Sequence, residues 1–256
     1  MKIGLALGGG GARGFAHIGV LKALEKNNIK IDFISGTSMG AIVGAFYAAG
    51  IPLEKLEKLV TVTDWKKIFS LLDPKFKDGL FGGEKFSLFL KKELGDLEFK
   101  HLFKKLIVTA TDFTTAKTKI FKSGKIIPAL RASSSLPIIF NPVNTKKEVL
   151  IDGCFSLPVP VEPLFSAGAD LVIAVNLDAD YFSQKRKHTT NLFDTINSSL
   201  LLLRHHLAAA NCSKAQIIIK PKVGQYGWYD FFKAKEIIEE GEKETKKIIH
   251  KLKSGS

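Results

Sequence analysis

The feature that most constrains the fold of this chain is the regular alternation of apolar runs and tight turns in its first 50 residues. The run from Ile3 to Leu7 is short, apolar and bounded by glycine, which predicts a buried strand, and Ala12 to Asn27 has apolar residues at helical spacing. Ile31 to Ser35 predicts a second strand, and Met39 to Ala49 a second helix. This order of elements favours a parallel sheet with crossover helices.

The rest of the chain continues the pattern. Residues Leu53 to Leu106 are mostly helical in character, and later helices are expected over Asn191 to Ala210 and Phe231 to Leu252. We expect six or seven strands with helices on both faces, all within one domain of residues 1–256. Ser254-Gly255-Ser256 has the composition of an appended tail. The further strands are predicted at Leu106 to Ala110, Thr118 to Phe121, Val149 to Ile151, Leu171 to Val175 and Ile217 to Ile219.

The net charge of +13 narrows the classes of partner. Nucleic acid, an anionic membrane surface and anionic lipid substrates all suit a basic protein. The sequence has no helix-turn-helix, zinc or aromatic RNP signature, so nucleic acid is not expected. Between Phe113 and Lys147 there are seven basic residues and no acidic one. This stretch is either a functional surface, in peripheral contact with an anionic membrane, or a chance of composition.

The location follows from hydropathy and cysteine content. No apolar run approaches the roughly 20 residues that a bilayer-spanning helix needs. The segment before Gly8 is too short for the apolar part of a signal peptide. The two cysteines, Cys154 and Cys212, do not suggest a disulfide framework. We therefore expect a cytoplasmic protein, either free in solution or in peripheral contact with the inner face of the membrane.

The candidate nucleophile is Ser38, in Gly36-Thr37-Ser38-Met39-Gly40. The motif has the form G-x-S-x-G and lies between a predicted strand and a predicted helix, which is the context in which such a serine is catalytic. Gly36 and Gly40 would relieve the crowding of strand, turn and helix around it. The alternative is an ordinary strand-to-helix turn with a capping serine.

The glycine-rich loop Gly8 to Gly14 allows two interpretations. Gly9, Gly11 and Gly14 fit G-x-G-x-x-G, which is typical of a dinucleotide-binding Rossmann fold. That fold needs an acidic residue at the end of the second strand, whereas Asp32 lies at its start. In the other interpretation the backbone N–H groups of the loop bind the oxyanion of an acyl-transfer reaction beside Ser38. Arg13 lies at a helix start, where the helix dipole disfavours a cation; it is expected either to have an anionic neighbour or to face water.

A serine needs a base, and the best candidate is a carboxylate. None of the six histidines follows a strand end, and His17 fits a helix or core position. Asp152 directly follows the predicted strand Val149 to Ile151 and precedes Gly153, so it would lie at the edge of the sheet near Ser38. A carboxylate serves as such a base only in a sheltered pocket. The alternative is a plain Asp-Gly turn.

The ordered motifs resemble those of the patatin-like phospholipases of the compact bacterial type. They are the loop Gly9 to Gly14, the turn Gly36 to Gly40, the block Arg131 to Pro137 and Asp152-Gly153. The resemblance covers about residues 3–180 and implies a three-layer α/β/α fold and fatty-acyl ester substrates. It also implies a Ser38–Asp152 dyad without histidine, with Gly9, Gly10 and Gly11 as the oxyanion hole. No metal or nucleotide cofactor is required by that mechanism.

Cys154 departs from the family pattern, which has Gly or Ala after Asp-Gly. Cysteine is small, so activity is expected to survive, but a lipid-binding relative that lost turnover stays an alternative. The helical region after Leu53 offers apolar residues that could line an acyl channel or simply form core. They are Trp65, Ile68, Phe69, Leu71, Leu72, Phe76, Leu80 and Phe81.

Overall fold

The computed structural model describes residues 1–65, 83–137, 139–183 and 192–254. Within them, strands and helices alternate through most of the chain. In order they are β1 (Ile3–Leu7), α1 (Ala16–Lys26), β2 (Phe33–Thr37), α2 (Met39–Ala48), α3 (Leu53–Val62), α4 (Glu84–Leu94), β3 (Lys105–Asp112), β4 (Thr118–Phe121), α5 (Ile126–Ser133), β5 (Val143–Asn144), β6 (Val149–Asp152), α6 (Glu162–Ser166), β7 (Leu171–Val175), α7 (Leu192–Cys212), β8 (Ile217–Ile219) and α8 (Ala234–Ser254).

The described strands form one mixed sheet of eight, in the order β5-β6-β3-β2-β1-β7-β8, with β4 also paired to β3. The five strands from β3 to β8 along this path are parallel. Their residues are mostly apolar and largely buried, because helices cover both faces of the parallel part. The predicted α/β fold with a largely parallel sheet is confirmed.

The remaining strands run against the parallel set, which the sequence pattern did not predict. β4 and β6 pair antiparallel with β3, and β5 pairs antiparallel with β6. Asp152, the last residue of β6, lies opposite Ala110, and the preceding residue Thr109 lies opposite Thr37 on β2. Asp152 and Ser38 therefore lie at the same edge of the sheet, the carboxyl edge of the parallel strands, although the strands that precede them run in opposite directions.

Two predicted boundaries differ from the structure. The helix expected from Ala12 begins as a 3₁₀ turn over Gly11–Phe15, since Gly11 has a φ of 58°, and becomes α-helical only at Ala16. The second strand starts at Phe33 rather than Ile31. Asp32 precedes the strand and contacts Ile3: its carboxylate accepts the backbone N–H of Ile3 at 2.9 Å, and its own backbone N–H donates to the carbonyl oxygen of Ile3 at 2.9 Å. In the described part of the chain, no helix is both long and apolar enough to cross a bilayer.

Candidate active site

Ser38 occupies the turn between β2 and α2 in a strained conformation. Its φ of 55° and ψ of −125° are unfavourable for any residue with a side chain. The next residue, Met39, begins α2, so Ser38 lies at the N-terminus of that helix. The turn predicted from G-x-S-x-G is present, with the serine at its apex.

The two glycines of the motif are required by close packing rather than by their own dihedral angles. A Cβ on Gly36 would lie 2.5 Å from the Cα of Ala41, and one on Gly40 would lie 2.2 Å from the carbonyl oxygen of Leu7. Real Cβ atoms essentially never approach other atoms so closely. Gly36 and Gly40 therefore let α2 lie directly against β1 and β2, which fixes the direction of the turn.

Asp152 is 2% exposed and lies beside Ser38. Its Oδ1 accepts the backbone N–H of Cys154 at 2.8 Å. Burial raises the pKa of Asp152 above the ordinary carboxyl value, although hydrogen bonding by Cys154 and Ser38 partly offsets this. Gly153 follows, and a Cβ there would lie 2.6 Å from the carbonyl oxygen of Thr109, which leaves no room for a side chain.

A segment of serines holds both groups. The backbone N–H of Ser38 donates to the Oγ of Ser133 at 2.8 Å. The backbone N–H of Asp152 donates to the carbonyl oxygen of Ser135 at 3.0 Å. The block Arg131 to Pro137 thus contacts both Ser38 and Asp152, through Ser133 and Ser135 respectively. The sequence pattern alone assigned no role to this block.

The glycine loop lies on the other side of Ser38. The N–H of Gly9 donates to the carbonyl of Pro158 at 3.0 Å, and a Cβ there would lie 3.3 Å from the Cβ of Ser38. Gly10 and Gly11 line the same cavity as Ser38 and Asp152. Of the three glycines predicted as oxyanion donors, Gly10 and Gly11 are therefore the ones that face the cavity, while the amide of Gly9 is engaged by the protein.

Arg13 is buried and has an anionic neighbour, the first of the two alternatives for its position. Its Nη2 lies 3.1 Å from Oδ1 of Asp178, and its guanidinium lies over the ring of Tyr181. Arg204 makes a bidentate contact with the same carboxylate: its Nε donates to Oδ2 at 2.8 Å and its Nη2 donates to Oδ1 at 2.6 Å. Burial alone would raise the pKa of Asp178, but Arg204 and Arg13 hold it below the ordinary value. Asp178 thereby links the glycine loop to α7.

A cavity of about 650 Å³ opens beside Ser38 and Asp152. Its walls are mainly aliphatic and aromatic, as expected for a site that accepts an apolar ligand. The wall includes Phe15, Ile42, Phe46, Leu56, Phe89 and Leu207. Cys154 also lines it, and burial raises the pKa of its thiol well above the usual range.

Trp65 is the described member of the residues considered for an acyl channel; Ile68 to Phe81 lie outside the described residues. Trp65 lines the cavity, and its ring also packs against Phe15 and Phe231. Trp65 thus both lines the cavity and packs in the core, so the two alternatives, a channel residue and a core residue, are not exclusive at this position.

His17 is fully buried, as its helical position predicted. Its Nε2 lies 2.7 Å from the carbonyl oxygen of Gly8, and since a carbonyl only accepts, Nε2 carries the proton. Burial lowers the pKa of His17 to about 4, so the ring is neutral. This histidine fixes the start of the glycine loop.

Some basic residues of the stretch from Phe113 to Lys147 are paired or buried and so are not available to bind an anionic partner. Lys119 pairs with Glu148 at 2.8 Å, Lys125 pairs with Asp96 at 3.2 Å, and Arg131 is buried. Acidic residues from outside the stretch therefore neutralise part of it. The exposed remainder consists of Lys117, Lys122, Lys146 and Lys147.

Sequence reasoning missed the roles of Asp178, Arg204, Ser133 and Pro158. Asp178 could have been recognised as a candidate site residue, since it lies three residues beyond a predicted strand, at the carboxyl edge of the sheet. No local sequence pattern identifies Arg204 or Pro158, because their partners Asp178 and Gly9 are 26 and 149 residues away in sequence.

Comparison with known proteins agrees with this architecture. An uncharacterized NTE family protein of Mycobacterium bovis is 33% identical over 219 residues, which cover 79% of this chain and 61% of that protein. Lysophospholipase NTE1 of Yarrowia lipolytica is 34% identical over 182 residues, covering 68% of this chain and 12% of that protein. The chain thus spans about three fifths of the mycobacterial relative and an eighth of the fungal one.

Solved structures show the same fold. VipD from Legionella pneumophila superposes with a TM-score of 0.66 at 16% identity, covering 98% of this chain and 66% of that one. The type III effector protein ExoU superposes with a TM-score of 0.54 at 14% identity, covering 98% of this chain and 53% of that one.

The sheet order, the strained serine turn and the apolar cavity together describe an α/β fold that presents a serine beside a buried carboxylate at an apolar cavity. The family model described as patatin-like phospholipase matches residues 5–165. The chain belongs to the patatin-like phospholipase family.

Proposed function

We propose that this chain is a lipid acyl-ester hydrolase of the phospholipase A or lysophospholipase type, with Ser38 as nucleophile and Asp152 as base. One observation carries the proposal: a strained serine lies beside a buried carboxylate at the wall of an apolar cavity. Burial raises the basicity of Asp152, which a carboxylate needs in order to take a proton from a hydroxyl. The name lysophospholipase on a related protein agrees with this chemistry.

In the first step Asp152 takes the proton of Ser38, and Oγ bonds to the ester carbonyl carbon. The negative charge on the carbonyl oxygen is stabilised by the N–H groups of Gly10 and Gly11, near the start of α1. The bond to the alcohol oxygen then breaks, and that oxygen receives the proton from Asp152. Water, deprotonated by the same carboxylate, then bonds to the acyl carbon. The bond from that carbon to Oγ breaks, Oγ takes the proton back from Asp152, and the fatty acid leaves.

Gly36, Gly40 and Gly153 support these groups by allowing close packing of the turn and of the Asp152 loop. Arg13 acts at a distance: through Asp178 it holds the helix turn that follows the glycine loop. The Rossmann alternative lacks its acidic residue, since Asp32 binds Ile3 at the opposite edge of β2.

The test is labelling by a fluorophosphonate, together with hydrolysis of a p-nitrophenyl acyl ester. Wild type should be labelled and active, and Ser38→Ala should lose both properties. Asp152→Asn should lose turnover. Ser166→Ala, at an exposed serine of α6, is the matched control and should behave as wild type. A folded wild type that is neither labelled nor active, yet binds fatty acid, would instead be a catalytically silent lipid-binding relative.

We further propose peripheral contact with an anionic membrane, supported by the exposed lysines of the region from Lys117 to Lys147. The same surface charge would concentrate a negatively charged lipid substrate near the protein.

A further inference from the structure

The glycine loop is held on both sides by carbonyl groups from distant parts of the chain. The backbone N–H of Gly9 donates to the carbonyl oxygen of Pro158 at 3.0 Å, and that of Ala12 donates to the carbonyl oxygen of Trp228 at 2.8 Å. The proposed oxyanion donors are the two residues between these bonds. The direction of their N–H groups therefore depends on where Pro158 and Trp228 place the ends of the loop.

Trp228 also packs directly against the loop. Gly11 has a φ of 58°, and a Cβ on it would lie 2.5 Å from the carbonyl oxygen of Trp228 and 3.1 Å from its Cα. Trp228 lines the same cavity as Gly10 and Gly11. A shift of Trp228 would therefore release the amide of Ala12 and remove the backbone against which Gly11 lies.

Trp228 belongs to a turn over residues 227–230, which we call the aromatic turn. The backbone N–H of Asp230 donates to the carbonyl oxygen of Gly227 at 3.3 Å. In the other direction, the N–H of Gly227 donates to Oδ2 of Asp230 at 2.6 Å. The second bond is shorter and its acceptor is a carboxylate, so it contributes more to the turn. Asp230 thus closes the turn that presents the carbonyl of Trp228.

The residue after the aromatic turn makes a second contact with the same region. The ring of Phe231 packs edge-on against Phe15, with 5.6 Å between the ring centroids. Phe15 ends the 3₁₀ turn Gly11–Phe15 that follows the glycine loop. The aromatic turn and Phe231 lie outside residues 5–165, which match the family model. The glycine loop is therefore supported by a part of the chain that the family motifs do not include.

We propose that Asp230 is a positioning residue for the hydrolysis. By closing the aromatic turn it fixes the carbonyl of Trp228 that holds the amide of Ala12. The amides of Gly10 and Gly11 are thereby kept directed at the oxyanion, and donors fixed in advance stabilise a developing charge best. The proposal rests on the proposed function and adds to that site a residue that acts through the loop and not by contact with the ester.

The first measurement is hydrolysis of a soluble p-nitrophenyl acyl ester, with kcat divided by the fraction of molecules that a fluorophosphonate labels to completion. Asp230→Ala should lower kcat by about tenfold, part of the roughly 10²- to 10³-fold that one oxyanion donor contributes, and leave KM within about twofold. Acylation and deacylation both pass through an oxyanion, so kcat falls whichever step is slower. Asp230→Asn keeps an oxygen acceptor and should retain most of kcat.

The second measurement separates an effect on the oxyanion from an effect on the fold. A long-chain trifluoromethyl ketone bonds through its carbonyl carbon to Oγ of Ser38, whose proton passes to Asp152, and the ketone oxygen becomes an oxyanion. A primary alcohol of the same chain length fills the cavity without forming one. In Asp230→Ala the inhibition constant of the ketone should rise about tenfold, as for a transition-state analogue, while that of the alcohol stays within about twofold.

Asp170→Ala is the matched control. Oδ2 of Asp170 accepts the backbone N–H of Lys2 at 2.6 Å, the same distance as in the aromatic turn, but at the amino edge of the sheet. This variant should leave kcat and both inhibition constants unchanged. Asp230→Glu moves the carboxylate by one methylene and should also lower kcat, so it repeats the test should Asp230→Ala not fold.

An unchanged kcat per labelled serine in Asp230→Ala would overturn the assignment. So would equal weakening of the ketone and the alcohol, or a loss in Asp230→Asn as large as in Asp230→Ala, since each indicates a general disturbance of the cavity. Wild type that fails to hydrolyse the p-nitrophenyl ester refutes the proposed function instead, so the two failures are distinguishable.

Discussion

The backbone N–H of Ser38 donates a 2.8 Å hydrogen bond to the hydroxyl of Ser133. This contact joins the turn after β2 to the end of α5, a segment that also accepts the backbone N–H of Asp152 through Ser135. The separation of Ser38 and Asp152 is therefore set by the block Arg131 to Pro137 as well as by the parallel sheet. Changes in this block are expected to alter catalysis without touching either reacting side chain.

The pH dependence of hydrolysis should report the protonation of Asp152. The carboxylate must be ionised to act as base, so kcat/KM falls as the pH drops through its pKa in the folded enzyme. Because burial raises this pKa, the midpoint should lie above the ordinary value of 3.8. Rates on a soluble p-nitrophenyl ester, measured while circular dichroism confirms folding, would show it. An acidic limb that disappears in a histidine variant would replace the dyad with a triad.

Gly9 and Cys154 should be coupled. A Cβ on Gly9 would lie 2.1 Å from Sγ of Cys154, so Gly9→Ala should destabilise the fold by about 1–3 kcal/mol and displace the glycine loop. Cys154→Ala alone should keep most activity. The double variant should recover part of the loss, limited by the remaining approach of 3.3 Å to Ser38. Strictly additive effects on activity and stability would contradict this packing.

Asp178 should contribute more to stability than an exposed carboxylate that also forms an ion pair. Asp178→Ala leaves Arg13 and Arg204 without their shared buried carboxylate, which should cost about 3–5 kcal/mol in urea unfolding. Glu162→Ala removes the exposed pair with Lys214 and should cost less than about 1 kcal/mol. Similar losses in the two variants would mean that the buried network is not needed for the fold.

His17 should make the folded state sensitive to acid. Its pKa falls from 6.5 in the unfolded chain to about 4 in the fold, so protonation favours unfolding. The stability due to the neutral ring is complete above about pH 6.5 and is lost as the pH falls towards about 4, by roughly 3 kcal/mol in total. Denaturant unfolding of His17→Gln, which does not titrate there, should show a shallower decline than wild type. Parallel pH curves would exclude this role.

Charge-dependent membrane contact should depend on the lysines that lack a described ion pair. Lys117→Glu with Lys122→Glu should weaken co-sedimentation with anionic liposomes by about tenfold or more, since each basic residue near such a surface is worth about 1 kcal/mol. Lys26→Glu with Lys30→Glu makes the same change of charge at the opposite edge of the sheet and is the control. Raised salt should weaken wild-type binding. Equal binding to neutral liposomes would assign the lysines to solubility.

The sequence predicted where the parts of the candidate site that depend on local pattern lie in the fold. Ser38 could be predicted because glycine spacing and the change from strand to helix are visible within ten residues. Asp152 could be predicted because it ends an apolar run, although its strand runs antiparallel to β3. The direction of that strand depends on pairing with residues about 40 positions away, and no local pattern reports it.

The partners of the buried charged residues could not be predicted from the sequence either, because they lie far away along the chain. An anionic neighbour was one expectation for Arg13, but Asp178 is 165 residues further on, and its second partner Arg204 sits on α7. The engagement of the Gly9 amide by Pro158 likewise depends on a distant loop. The extent of the domain, residues 1–256, stays a prediction.

The strained backbone at Ser38 has a consequence for the stability of this chain. A residue with a side chain at a φ of 55° and a ψ of −125° lowers stability by about 1–3 kcal/mol, whereas glycine adopts such angles readily. Ser38→Gly should therefore raise the free energy of unfolding while removing the hydroxyl. Ser38 therefore lowers the stability of the turn relative to glycine, and the proposed role of its hydroxyl supplies a reason for a side chain at this point.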